Sequence, residues 1–211
     1  MKIEFVAHTG DITMDKIEDV AVVTDCITLI GTLKAPIHYV PGNHDISRHR
    51  HKDTMEAYKN HFGGLITQVE YHGVVFMFVY TEPLAKAFAV PNYDPLDELE
   101  TRLKQSDRKP VIVFHHTPSV EDFYMNRMHP GWKKEIREKW IALLNKHNVK
   151  AVIAGHFHRD ENHWLGDVPL YVCSPIAGYW GRQSTYRIYE YKNGKIGYRT
   201  QYICSATNHG Q

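Results

Sequence analysis

The 211-residue sequence predicts an α/β fold, and three observations carry that prediction. Short apolar runs alternate with helix-length amphipathic segments through residues 3–154, the pattern of strands joined by helices. Residues 171–203 alternate in strand fashion about Lys192-Asn193-Gly194, a strong hairpin turn, so a mixed or second sheet accompanies the alternating part. Polar residues collect just after the apolar strands, at the edge where ligands bind in open α/β sheets.

Residues 3–8 read as a short strand running into a Thr9-Gly10-Asp11 turn. Residues 15–33 read as a helix on the spacing of Val20, Val23, Ile27 and Ile30, against the weak helix preference of its β-branched residues. Residues 36–40 form a second strand, closed by Pro41-Gly42, and 53–62 a helix stopped by Gly63-Gly64. Residues 65–80 hold two strands about His72-Gly73, the second an almost wholly apolar run. After a loop at 91–94, residues 95–105 form a helix with Leu96, Leu99 and Leu103 on one side. Residues 111–114 are a buried strand ended by His115-His116-Thr117-Pro118. A helix over 133–147 carries Ile136, Trp140, Leu143 and Leu144. Residues 149–154 are another buried strand, ended by Gly155-His156-Phe157-His158. No repeat, low-complexity stretch or linker divides the chain, so one domain is expected over residues 1–204, with a flexible tail at 205–211.

Composition narrows the function classes. With 25 Lys and Arg against 24 Asp and Glu, charge gives no reason to expect nucleic acid or an acidic membrane as partner. Cys26, Cys173 and Cys204 are far apart and make no CxxC pair, which argues against a disulfide scaffold or a thiolate zinc site. Nothing in the first 30 residues reads as a signal peptide, and no run of 18 apolar residues occurs. The expected localisation is cytoplasmic, for a chain that starts here; a longer start could carry an export signal. Histidine is the outlier, with 15 residues, and it is the commonest metal ligand.

Four strand ends deliver Asp11, Asn43 with His44, His115 with His116, and His156 with His158. Each alone has an ordinary reading: a turn aspartate, a capped turn, a strand end. Together they bring a carboxylate, an amide and imidazoles to one sheet edge. Oxygen and imidazole donors without thiolate suit Mn, Fe or Zn. The absence of a GxSxG motif or a P-loop leaves neither a serine nucleophile nor a nucleotide-driven machine indicated.

Gly10-Asp11, Gly42-Asn43-His44-Asp45, His116-Thr117-Pro118 and Gly155-His156-Phe157-His158 resemble the ordered motifs of the calcineurin-like metallophosphoesterase superfamily. The resemblance covers about residues 3–182. It implies an αββα sandwich of two mixed sheets flanked by helices, and hydrolysis of phosphomonoesters or phosphodiesters by metal-activated water. It implies two transition metals, Mn, Fe or Zn. Asp11 would bridge them; Asn43, His116 and His156 would complete the second metal's ligands; His158 would bind the first. His116 is preferred to His115 because the family places this ligand two residues before a proline. His44 would act at the scissile phosphate without binding metal, and Asp45 would orient His44. The substrate would be a phosphorylated small molecule or a phosphoprotein.

The family also opens on a strand carrying Asp-x-His, and no Asp-x-His occurs in these 211 residues. The expectation is an N-terminally shortened chain whose first metal position is weak. The alternative is a catalytically weakened or inactive metal-binding or partner-binding module of the same fold. Arg182, after Tyr179-Trp180-Gly181, is expected to reach a substrate oxygen. The basic run Arg48-His49-Arg50-His51-Lys52 reads as a solvated face, or as a lip that attracts phosphate. Residues 124–132 read as an aromatic loop or short helix, expected as a cover for the site.

Overall fold

The structure is a computed structural model that describes residues 2–121, 131–178 and 182–203. The expected tail at 205–211, the Tyr179-Trp180-Gly181 stretch and residues 124–130 of the aromatic segment lie outside the described residues. In chain order the elements are β1 (Val6–His8), α1 (Val20–Ile30), β2 (Ile37–Tyr39), α2 (His51–Phe62), β3 (Ile66–Tyr71), β4 (Val74–Val79), α3 (Glu82–Ala85) and α4 (Pro95–Gln105). Then follow β5 (Val111–Phe114), α5 (Lys134–Lys146), β6 (Val149–Ala154), β7 (Glu161–Leu165), β8 (Val168–Val172), β9 (Thr185–Lys192) and β10 (Lys195–Tyr202).

A six-stranded mixed sheet runs β3-β4-β5-β6-β8-β7. Its four inner strands are parallel, and β3 and β7 pair antiparallel at the two edges. The inner strands read as continuous apolar runs because both of their faces are buried. Alternation divides each strand between two cores. Met77, Val79, Val113, Val152 and Ala154 face Leu99 and Leu103 of α4 and Trp140 and Leu144 of α5. Phe78, Ile112, Phe114 and Ile153 face the other way, against Phe5, Ala7, Tyr189 and Tyr191.

That second core is roofed by two strand pairs, β1–β2 in parallel and β9–β10 antiparallel. Beyond them, Tyr58 and Phe62 of α2 and Val23 of α1 pack with Tyr39 of β2. The layers are therefore helix, sheet, sheet and helix. Among the described residues the second sheet layer is two separate pairs, not one continuous sheet.

The local structure departs from the sequence pattern in α1 and adds two elements to it. α1 starts at Val20, where Asp19 caps it by accepting from the amides of Ala21 and Val22. The preceding residues shape a loop instead, with Met14 and Asp15 at positive φ. Of the residues whose spacing marks this helix, Val23 is buried, but Val20 is 72% exposed and Ile27 42%. The β7–β8 hairpin was not anticipated; it turns at Gly166, whose φ is +66°. α3 has four residues, too short to leave a periodic signal. Among the described residues, no helix is long and apolar enough to cross a membrane.

Candidate metal centre

The centre lies where the loops after β1, β2, β5 and β6 meet. Their approach is too close for side chains at two glycines. A Cβ on Gly10, whose φ is +103°, would lie 2.4 Å from His116 Nδ1. A Cβ on Gly42 would lie 2.1 Å from Asp11 Oδ1. Asp11, His156 and His158 themselves sit at φ of 60°, 65° and 54°. Left-handed backbone at a non-glycine residue costs on the order of 1–3 kcal/mol and persists only where the surroundings fix it.

His116 Nε2 is the focus. It lies 3.1 Å from Asp11 Oδ2, 3.1 Å from Asn43 Oδ1 and 3.1 Å from His156 Nδ1. His116 Nδ1 lies 2.7 Å from the Thr9 carbonyl, which fixes Nδ1 as a donor and turns Nε2 inward, where it carries a proton or, once that is displaced, a lone pair. The candidate ligand atoms of Asp11, His116 and His156 all lie within 4.8 Å of one another. A carboxylate, an amide carbonyl and two imidazoles thus turn their lone pairs on one point, an arrangement that a proton or a cation relieves. The donor set fits a first-row transition metal.

The charges agree with that placement. Burial alone would lower His116, but the Asp11 carboxylate, helped by Glu82 and the Thr9 carbonyl, raises it to about 9. Burial pushes Asp11 up, yet the His116 charge and the hydrogen bond from the His44 amide hold it well below the usual carboxylate range.

Asp45 does not orient His44, and the reason is local. It is almost fully buried, and its carboxylate accepts backbone hydrogen bonds from Gly42 (2.9 Å), Asp11 (2.7 Å), Ile12 (2.7 Å) and Thr13 (3.1 Å). It knits the Asp11 loop to the Asn43 loop. Burial and the neighbouring Asp11 charge push the Asp45 carboxyl up, while those amides oppose the shift.

The carboxylate on His44 belongs to Asp15, 2.8 Å from Nδ1, and the Asp15 amide donates to the His44 carbonyl at 2.7 Å. The His44 amide donates to Asp11 Oδ1 at 2.9 Å. His44 is not one of the converging ligands. Asp15 was missed by sequence reading, since nothing in its neighbourhood marks it; only the tight loop brings it to His44.

The remaining candidates are also placed. His115 is fully buried, edge-on to Trp140 at 5.4 Å, and burial pushes it down to about 3. It is a core residue, and His116 is the strand-end histidine at the centre. His8 Nδ1 accepts from the Gly10 amide at 3.3 Å, and burial pushes the ring down to about 4. His158 stands beside the quartet; burial lowers it, and the charges of Asp11, His116, Arg182 and His44 act on it. Arg182 donates from Nη1 to the His158 carbonyl at 2.5 Å. In the basic run, Arg50 pairs with Glu18 at 2.6 Å and Arg48 lies over the Phe88 ring.

Known proteins share this architecture. The calcineurin-like phosphoesterase family model matches residues 1–160. Serine/threonine-protein phosphatase CPPED1 of Danio rerio is 30% identical over 153 residues, covering 67% of this chain and 48% of that protein. The Homo sapiens protein of the same name is 26% identical over 159 residues, covering 70% of this chain and 49% of that protein. The chain thus spans about half the length of the curated relatives it matches. The crystal structure of a dimetal phosphatase from Danio rerio superposes with a TM-score of 0.61 at 13% identity, over 95% of this chain and 83% of that one. The ordered strand-end motifs, the layered fold and the match over most of the chain agree, and the chain belongs to the calcineurin-like phosphoesterase family.

Proposed function

We propose that the chain hydrolyses phosphate esters with the help of bound transition metal. The observation that carries this reading is the convergence of Asp11, Asn43 and His156 on His116 Nε2, each at 3.1 Å. These four would hold one ion, and Asp11 with His158 would offer donors to a second. Bound ions of this kind lower the pKa of water and offset charge on the phosphate. The chain's own part is positional. The Thr9 carbonyl keeps His116 in the tautomer that presents Nε2. Asp15 holds His44 through Nδ1, so the imidazolium form of His44 would give its Nε2 proton to the leaving oxygen and be left neutral. Arg182 is proposed to bind a phosphate oxygen beside His158, and Asp45 to hold the two loops in register.

The phosphatase names of the relatives favour a phosphoprotein or a phosphorylated small molecule as substrate. A second reading is a metal-binding module with weak or no catalysis. One feature favours it: without Asp-x-His, the family motifs here supply the other metal position with Asp11 and His158 alone. Metal analysis and an aryl phosphate assay with and without added Mn²⁺ separate the two. Turnover that requires Mn²⁺ supports the hydrolase. Stable metal binding without turnover supports the module, and a metal-stripped chain that hydrolyses the ester unaided overturns both.

A further inference from the structure

The loop that carries His156 and His158 has two histidines in left-handed backbone within three residues. Such a loop keeps its shape only if something outside it enforces that shape. Inside it, Phe157 is buried in the main core, and its amide donates to the Gly155 carbonyl at 2.7 Å. Asp160, at the loop's end, is held from three sides. Its Oδ1 accepts from the Ser174 amide at 2.8 Å, its Oδ2 accepts from Thr200 Oγ1 at 3.0 Å, and Arg187 Nη2 lies 3.2 Å from Oδ1.

Arg187 is an unusual surface-hairpin arginine, because its side chain is only 3% exposed. Its guanidinium carbon lies 4.2 Å from the centre of the Tyr198 ring, and Nη1 donates to Tyr189 OH at 3.4 Å. The Tyr198 hydroxyl in turn accepts from Asn162 Nδ2 at 2.8 Å. A desolvated, planar, always-charged side chain is thus aimed from β9 at the one carboxylate that closes the loop. The β9–β10 hairpin contributes none of Asp11, Asn43, His116 and His156, yet it grips the segment that supplies His156.

We propose that Asp160 and Arg187 are positioning residues: through this pair, a buried guanidinium on a partly exposed carboxylate, the C-terminal hairpin holds the His156–His158 loop in its left-handed geometry and sets the metal affinity of the centre. The claim on affinity rests on the metal-centre reading above; the claim on loop geometry does not. Asp160 does for this loop what Asp45 does for the Asp11 loop, with one difference. Asp45 is held mainly by backbone amides, with the Thr13 hydroxyl at 3.4 Å, whereas Asp160 also depends on a charged side chain 27 positions away in sequence.

The test uses the full chain and the variants Arg187→Met, Arg187→Lys and Asp160→Asn, with Leu103→Ala as a core control in α4. Amide hydrogen exchange is followed over residues 155–160, and Mn²⁺ binding by calorimetry. Arg187→Met is expected to speed exchange in that loop by at least about 10-fold and to weaken Mn²⁺ binding by roughly 10-fold, the size of effect seen when ligand-orienting groups are lost. Arg187→Lys should recover part of both effects, and Asp160→Asn should give the same direction without removing side-chain volume. Leu103→Ala should lower the melting temperature and leave both readouts in place. Unchanged loop exchange in Arg187→Met and Asp160→Asn overturns the proposal. Faster exchange with unchanged Mn²⁺ affinity overturns its link to the metal centre, as does an equal weakening by Leu103→Ala. A parent chain that binds no Mn²⁺ overturns the metal-centre reading and the affinity claim with it, while the exchange data still decide the loop geometry.

Discussion

The four converging donors and the groups around His44 and His158 form two halves of one site, built by different means. Asp11, Asn43, His116 and His156 stand at strand ends, and His116 and His156 are buried. Their positions are fixed by backbone: glycines that allow contact, a carbonyl on His116 Nδ1, four amides on Asp45. His44 and Asp15 are more exposed, with side chains 39% and 63% accessible, and hold each other. The difference teaches that the first half is held by backbone contacts that leave its side chains little room to move. The second half is adjustable, and water screens its interactions. Changes in the first half should therefore remove metal, and changes in the second should alter rate while metal stays.

The largest effect is expected from His156→Ala. It removes one of the four donors from a site that cannot rearrange, so bound transition metal and phosphoesterase activity should both fall below detection after dialysis. Full metal occupancy in this variant, measured by elemental analysis, would break the comparison at its root.

His44→Asn comes next. It should lower kcat by roughly 10²–10⁴-fold, the ordinary range for lost acid–base help, with metal content unchanged. If metal is lost as well, His44 belongs with the rigid half.

The pH response sharpens the contrast further. In the metal-free protein His116 is raised from 6.5 to about 9 by its pairing with Asp11, against the burial penalty. A raised histidine adds stability that is complete below pH 6.5 and lost as pH climbs through about 9. The metal must displace the same proton, so apparent affinity should move the opposite way, rising by up to about tenfold per pH unit until near pH 9. Thermal melts without metal and titrations with Mn²⁺ across pH 6–9 check both slopes. Metal affinity that is flat with pH would mean that His116 carries no proton to displace.

Asp15→Asn should have the smallest effect. The amide keeps a hydrogen bond to His44 but loses the charge, and both partners are half in water, so a drop in kcat of about 10-fold or less is expected. Steady-state kinetics at saturating Mn²⁺ would show it, and a loss as large as that of His44→Asn would place Asp15 in the chemistry itself.

Much of this was legible in the chain. The strands at 111–114 and 149–154 and the helix at 95–105 end where their patterns end. Strands buried on both faces leave continuous apolar runs, and Asp94 with Pro95 marks a helix start plainly. The ordered motifs also pointed to Asp11, Asn43, His116 and His156, which the structure brings together. α1 was harder. Its apolar residues at 20, 23, 27 and 30 have helical spacing, but largely Val23 meets a core, because neighbours decide which face is covered.

The sequence by itself determined the alternation of strands and helices, the strand ends and the residue types at the centre, since periodicity and motif order are written in neighbouring positions. Only the tertiary structure decided who serves whom. Asp45 stands next to His44 in the chain, yet a buried carboxylate surrounded by backbone amides must satisfy those amides, so Asp15 takes the histidine instead. Arg187 meets Asp160 for a similar reason: a charge buried by its own hairpin needs a carboxylate, and Asp160 supplies it. Partnerships of this kind depend on distances in space and on what burial forbids, and adjacent letters carry neither.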